Sequence, residues 1–172
     1  FHGVAMMPGK PVMGGIIKEK PVFGIPGYPV SAIICFQSFI EPLYDRLSLT
    51  TTHKKQISCT VPFKVPSRIG IEEIVRINLI EKDGIFYAFP LQRGASIFSS
   101  MARADAIISI PENIEGYDEG SQVPCVLLRE EEEFKRRIHI VGSHDLSLDI
   151  MRDLFKIRHP SMEFLSTHTG SL

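Results

Sequence analysis

Hydrophobic and polar positions divide the chain into three textures. In the first, residues 1 to 48, "PVMGGIIKEKPVFGIPG" alternates as two short strands around the turn Lys18-Glu19-Lys20. From Pro29 onward, Val30, Ile33, Ile34, Phe36, Ile40, Leu43 and Leu47 recur at helical spacing. Pro42 falls inside that run. It lacks an N–H and clashes with the preceding turn, so it should kink the helix or end its first segment.

The second texture, residues 56 to 128, is β-rich. "ISCTVPFKV", "EEIVRINLI", "GIFYAFPL", "AIISIP" and "QVPCVLL" read as strands separated by turn signals. Asp83-Gly84 marks a hairpin between two of them. In "EEIVRINLI", Ile74, Arg76, Asn78 and Ile80 share one face and Val75, Ile77 and Leu79 the other. "SIFSSMARADA" interrupts the pattern with one or two helical turns. Short strands at this spacing predict a small closed or nearly closed β-barrel.

The third texture follows a charge run, "REEEEFKRR" (129–137), read as a solvated linker or short helix. "RIHIVG" is a strand, "LSLDIMRDLFKIRH" an amphipathic helix and "SMEFLSTHTG" a second strand. The order predicts a β-α-β unit with parallel strands, too short to complete a domain.

Composition narrows the function classes. The 172 residues carry 19 Lys plus Arg against 20 Asp plus Glu, for a net charge of −1, which gives no electrostatic case for nucleic acid or an anionic membrane. Any cationic chemistry must be local. Three widely spaced cysteines, Cys35, Cys59 and Cys125, form no C-x-x-C, so reduced thiols in a cytosolic protein are the simplest reading. No signal peptide or membrane-length apolar run occurs. The chain opens on Phe1 and stops at "THTGSL", and is expected to be a fragment.

Few motifs carry chemistry. Ser143-His144-Asp145 cannot form a hydrolase triad, because adjacent residues do not converge on one atom. They suit a polar loop and cap before the helix, where free N–H groups could face an anion. "THTGSL" could open a second such site. The six histidines include no helical ligand pair, so no metal ligands are assigned. "GIPGYPVS" lacks the serine of a nucleophile elbow and the G-K-[ST] of a P-loop. Gly27 permits a sharp turn, Pro29 fits the first helical position, and Tyr28 stands where a capping residue would. Local physics favours a structural turn there and leaves an anion cradle open. Lys10 sits in a Pro-Gly-Lys-Pro loop stiffened on both sides.

Four stretches, "PGKPVMGG", "KPVFGIPGYPVSAIICFQSFIEPLYDRL", "GASIFSSMARADAIISIPE" and "EGYDEGSQVPCVLL", together resemble the molybdopterin molybdenumtransferases, the MoeA/gephyrin family. The resemblance covers most of residues 4 to 128. It implies an α/β fragment, residues 1–48, ending a three-layer MogA-like, molybdopterin-binding domain. A C-terminal β-barrel follows at 54–128. After the charged linker at 129–137, residues 138–172 look like the truncated start of a periplasmic-binding-protein-like domain. The implied reaction is insertion of molybdate into adenylylated molybdopterin with release of AMP, assisted by Mg2+ whose ligands are expected upstream of this chain.

By the same resemblance Lys10 matches a lysine of the family's K-P-G-K-P loop and is the catalytic candidate, with Pro8 and Gly9 beside it at the substrate. Gly27 and Ser31 match an L-P-G-N-P-V-S turn, and Arg76 and Ser99 match polar barrel positions. Ser143, Asp145 and Ser171 would line an anion site of the fused unit. Met7 and Tyr28 depart from the family's lysine and asparagine. The parent is expected to be a cytoplasmic homodimeric transferase, and this chain alone inactive. The alternative is an oxyanion-binding or dimerisation module without catalysis of its own.

Overall fold

The computed structural model describes residues 1–51, 54–91, 93, 98–135, 137–143, 145–160 and 162–168. The first texture forms a short strand β1 (Met6–Met7) and a hairpin of β2 (Met13–Ile17) and β3 (Lys20–Gly24). Lys18 and Glu19 both take positive φ, 49° and 64°, as the mirror-image turn of a two-residue hairpin requires. The helical run is built in three pieces: α1 (Pro29–Cys35), a π-helical turn (Phe36–Ile40) and α2 (Glu41–Ser48).

Pro42 explains the middle piece. Its ring would strike the carbonyl four residues back in a regular helix. The widened turn moves that carbonyl aside, and the Glu41 N–H reaches the Phe36 carbonyl instead. The helix therefore continues past the proline rather than stopping. Met6, Val12, Val30, Ile34 and Cys35 form the small core under it.

The second texture closes into a barrel. Its strands are β4 (Gln56–Thr60), β6 (Glu72–Lys82), β7 (Ile85–Pro90), β8 (Ala106–Ile110) and β10 (Gln122–Leu127), with the short β5 (Val65–Pro66) and β9 (Gly116–Tyr117) pairing at one end. The ring runs β6-β7-β4-β10-β8 and returns to β6. All its pairings are antiparallel except β4 with β7. Closure leaves no edge within the ring, and the alternating strands fill it with Cys59, Val75, Ile77, Leu79, Ala88, Ile108, Val123 and Cys125. Where β9 crosses β5, Gly116 has φ +123° and a Cβ there would lie 2.1 Å from the Val65 carbonyl oxygen. Only glycine permits that approach. Asp83 and Gly84 make the expected β6–β7 turn, both at positive φ.

"ISCTVPFKV" is thus two strands rather than one, because Val65–Pro66 leaves the ring to meet β9. The helix α3 (Phe98–Arg103) interrupts the barrel, and α4 (Glu131–Lys135) follows it. β11 (Arg137–Gly142), α5 (Leu146–Arg158) and β12 (Glu163–His168) form the parallel β-α-β unit. The apolar stripe of α5 is exposed at Leu146, Ile150, Leu154 and Ile157. The three cysteines are buried free thiols.

Two of the joints between these parts lie on β6. β1 adds to β6 in parallel, Met6 opposite Glu72 and Met7 opposite Glu73. At the other end Asp105, fully buried, accepts the Leu79 N–H at 2.8 Å and pairs with the buried Arg137. Arg137 reaches on to Glu163 of β12 at 2.5 Å. β6 is consequently covered on both faces: Val75, Ile77 and Leu79 point into the barrel, while Arg76 and Asn78 are buried outside it.

Candidate functional site

The Pro8–Pro11 loop is held from three directions. The Val12 N–H bonds the Gly9 carbonyl at 3.0 Å, and the Val4 N–H bonds the Lys10 carbonyl at 3.0 Å. The Cys35 thiol on α1 donates to the Gly9 carbonyl at 3.6 Å. Gly9 has φ +120°, and a Cβ there would lie 2.6 Å from Met6 Cε and 3.0 Å from Cys35 Sγ. The loop can therefore press against α1 only with glycine at this position. The Met7–Pro8 peptide is cis.

This loop forms one wall of a cavity of about 650 Å3. Pro26, Tyr28 and Ser31 at the start of α1 form a second wall. Pro66, Ser67, Arg68, residues 73–76 of β6, Leu91 and Arg93 form the third. The cavity exists because β1 pairs with β6 and so brings the loop after β1 beside the barrel. At the entrance to α1, Tyr28 has an extended backbone and offers no side-chain cap. Its carbonyl accepts the Ala32 N–H at 2.9 Å, and Pro29 supplies the first helical residue. Ser31, in the first turn, is buried against the cavity.

The electrostatics are one-sided. Among the described residues, Lys10, Arg68, Arg76 and Arg93 line the cavity against one carboxylate, Glu73. Glu73 is buried, and Arg93 answers it at 3.2 Å while donating to the Pro66 carbonyl at 2.7 Å. Arg76 is also buried, and desolvation pulls its guanidinium below its ordinary pKa. Lys10 and Arg68 are exposed, and their side chains make no hydrogen bond or ion pair with the described residues. A basic, partly apolar cavity of this size suits an organic ligand bearing anionic groups.

Of the residues singled out from sequence, the structure brings Pro8, Gly9, Lys10, Ser31 and Arg76 onto one cavity. Gly27 is not on its wall, has no positive φ, and a Cβ there would meet open space. Ser99 belongs to α3, with its side chain outside the described residues. Ser143 and Asp145 lie at the far end of the molecule, before α5. There the Asp145 carboxylate accepts the Ser147 N–H at 2.7 Å, so the cap is made by the protein itself. Ser171 lies outside the described residues. The described residues include no group of three or more His, Cys, Asp or Glu able to hold a metal, so the cavity as described does not fit Mg2+.

The sequence reading passed over Arg68, Glu73 and Arg93. One signal was available for Glu73: it shares strand parity with Val75, Ile77 and Leu79, and a carboxylate on a core-facing row needs a cationic partner.

Residues 59–128 match the family model described as the MoeA C-terminal region, domain IV. Over 129 residues the chain is 35% identical to a protein of Methanocaldococcus jannaschii named for molybdopterin biosynthesis, covering 74% of this chain and 29% of the relative. It is 28% identical over 134 residues to the molybdopterin molybdenumtransferase of Bacillus subtilis, covering 76% and 31%. The crystal structure of the molybdopterin biosynthesis moeA protein from Pyrococcus horikoshii superposes with a TM-score of 0.61 at 31% identity, over 74% of this chain and 31% of that one. The chain thus spans about three-tenths of the length of the curated relatives it matches. No helix among the described residues is long and apolar enough to cross a membrane.

Proposed function

Taking as premise that this chain belongs to the MoeA family, whose C-terminal region its residues 59–128 carry, we propose that it contributes to molybdenum cofactor biosynthesis. In this reading its cavity is part of the site where a molybdopterin molybdenumtransferase inserts molybdate into adenylylated molybdopterin and releases AMP. The supporting observation is the set of cations on that cavity: among its described residues, Lys10, Arg68, Arg76 and Arg93 face the single carboxylate Glu73.

Phosphate oxygens and an incoming oxyanion repel one another, and fixed cations in a partly dry site offset that repulsion where charge gathers. Lys10 is placed for this role. Its ammonium is uncommitted, and its loop is pinned by Cys35, Val4 and Val12. Arg76, buried on a barrel strand, supplies a second cation whose backbone does not move with the loop. Ser31 offers a hydroxyl from the first turn of α1. Magnesium, which we expect to assist, would have to be held by other residues. The working assembly is proposed to be a cytoplasmic homodimer, and the chain alone to be inactive.

The test is turnover of adenylylated molybdopterin by the full-length parent. Lys10→Ala should lower it about 100-fold, in the range for loss of one group that stabilises developing charge. Normal turnover by that variant would remove Lys10 from the site.

A further inference from the structure

The cations of the cavity are not equivalent. Arg93 is committed: its guanidinium bridges the buried Glu73 carboxylate and the Pro66 carbonyl. Pro66 ends β5, and Ser67 and Arg68 follow it along the cavity rim. The Ser67 N–H is tied to the Glu115 carbonyl at 2.8 Å and the Gly70 N–H to the Glu112 carbonyl at 2.7 Å, so the segment is fixed to the chain that follows β8. Arg93 ties the segment from the cavity, donating to the Pro66 carbonyl at 2.7 Å. The Arg68 side chain pairs with none of the described residues, and Arg68 lines the same cavity as Lys10.

Resting on the reading of that cavity as an anion-binding site, we propose that Arg68 contacts an anionic, phosphate-bearing group of the ligand, and that Arg93, seated on Glu73, is the positioning residue that sets the 66–68 segment for that contact. The chemistry favours this division of labour. A guanidinium already neutralised by a buried carboxylate contributes little attraction to a phosphate. Its two-sided, planar donor set is suited to joining two backbone-anchored acceptors at a fixed angle. A free guanidinium at the rim keeps its full charge for the ligand. Glu73 then has a reason to occupy a core-facing position of β6, where an unpaired carboxylate would be costly.

Inorganic pyrophosphate is the probe, titrated into the full chain at low ionic strength and followed by amide chemical shifts. The wild type should bind, with shifts at the Ser67, Arg68, Gly9 and Lys10 amides. Arg68→Ala should weaken binding about tenfold, the effect of one charge-assisted hydrogen bond. Arg93→Lys keeps a cation opposite Glu73 but cannot fork to Pro66. It should weaken binding severalfold while the thermal midpoint stays within a degree or two of the wild type. The double variant Arg68→Ala/Arg93→Lys should bind no worse than Arg68→Ala alone, because Arg93 acts through Arg68. Additive losses would overturn the positioning role. Unchanged affinity in Arg68→Ala, or no pyrophosphate binding by the wild type, would overturn the contact itself. If Lys10→Ala loses pyrophosphate while Arg68→Ala does not, the inference fails and the anion-site reading stands. If both variants bind like the wild type, the cavity is not the anion site and both fail.

Discussion

Tyr28 stands at the N-terminus of α1 in a backbone conformation, φ −75° and ψ 127°, that suits a capping residue, but its side chain makes no capping hydrogen bond. An asparagine there has a side-chain oxygen that can accept the N–H two or three residues on, worth roughly 1 kcal/mol. Tyr28→Asn should therefore raise the thermal midpoint by about 2–4 °C, measured by circular dichroism. A lower midpoint would mean that the contacts of the ring outweigh the missing cap. The tyrosine is 61% exposed, so little packing is at stake. At this scale the sequence was informative wherever backbone geometry is local. Pro29 at the first helical position and Asp83-Gly84 in the turn follow from fixed or permitted φ values. It was silent on Arg93, because nothing local to residue 93 says that Glu73 and Pro66 will be its neighbours.

At the scale of elements, the two hairpin turns can be compared directly. The β6–β7 turn places Asp83 and Gly84 at positive φ, and the β2–β3 turn places Lys18 and Glu19 there. Side chains larger than glycine carry a penalty in that region, while asparagine and glycine are its preferred occupants. Lys18→Asn with Glu19→Gly should stabilise the protein by about 1–2 kcal/mol in urea unfolding with no change in slope. No gain would show that the turn is set by its strands rather than by its own residues. Strand identity was readable from alternation in β6, β7, β8 and β10. The split of residues 57–65 into β4 and β5 was not, since Val65 pairs with Tyr117 from a distant part of the chain. Pro42 was read as a kink or a stop. The π-helical turn is a third outcome, reached because Glu41 could find the Phe36 carbonyl.

At the scale of the molecule, the described residues of the β-α-β unit meet the barrel at a polar cluster and at a ring contact. His139 of β11 meets Phe89 of β7 edge to face at 4.9 Å. Burial, then the neighbouring Arg137, pulls the imidazole down to about 4. The folded form thus keeps His139 neutral where the unfolded chain would take a proton. Its contribution to stability is complete above pH 6.5 and falls as the pH drops toward 4. Hydrogen exchange should show β11 and β12 amides losing protection relative to β6 across that window, and His139→Phe should flatten the loss. Asp105 lies nearby, and burial pushes its carboxyl up despite Arg137 and the Leu79 N–H. The difference between wild type and variant therefore isolates the histidine. An equal loss in both would assign it to Asp105. The parallel order of this unit was predictable from its β-α-β sequence. Its attachment was not, because Asp105 and Arg137 lie on segments that read separately as a helix end and a charge run.

The pairing of β1 with β6 also fixes an order of events during synthesis. Met6 and Met7 emerge from the ribosome long before Glu72 and Glu73, and until then the Lys10 loop has no facing wall. Arg93, which ties Glu73 to Pro66, arrives later still. The cavity therefore cannot take up the proposed anionic ligand during the early part of translation. It becomes competent only when the barrel strand that forms its floor has been made and has found its partners.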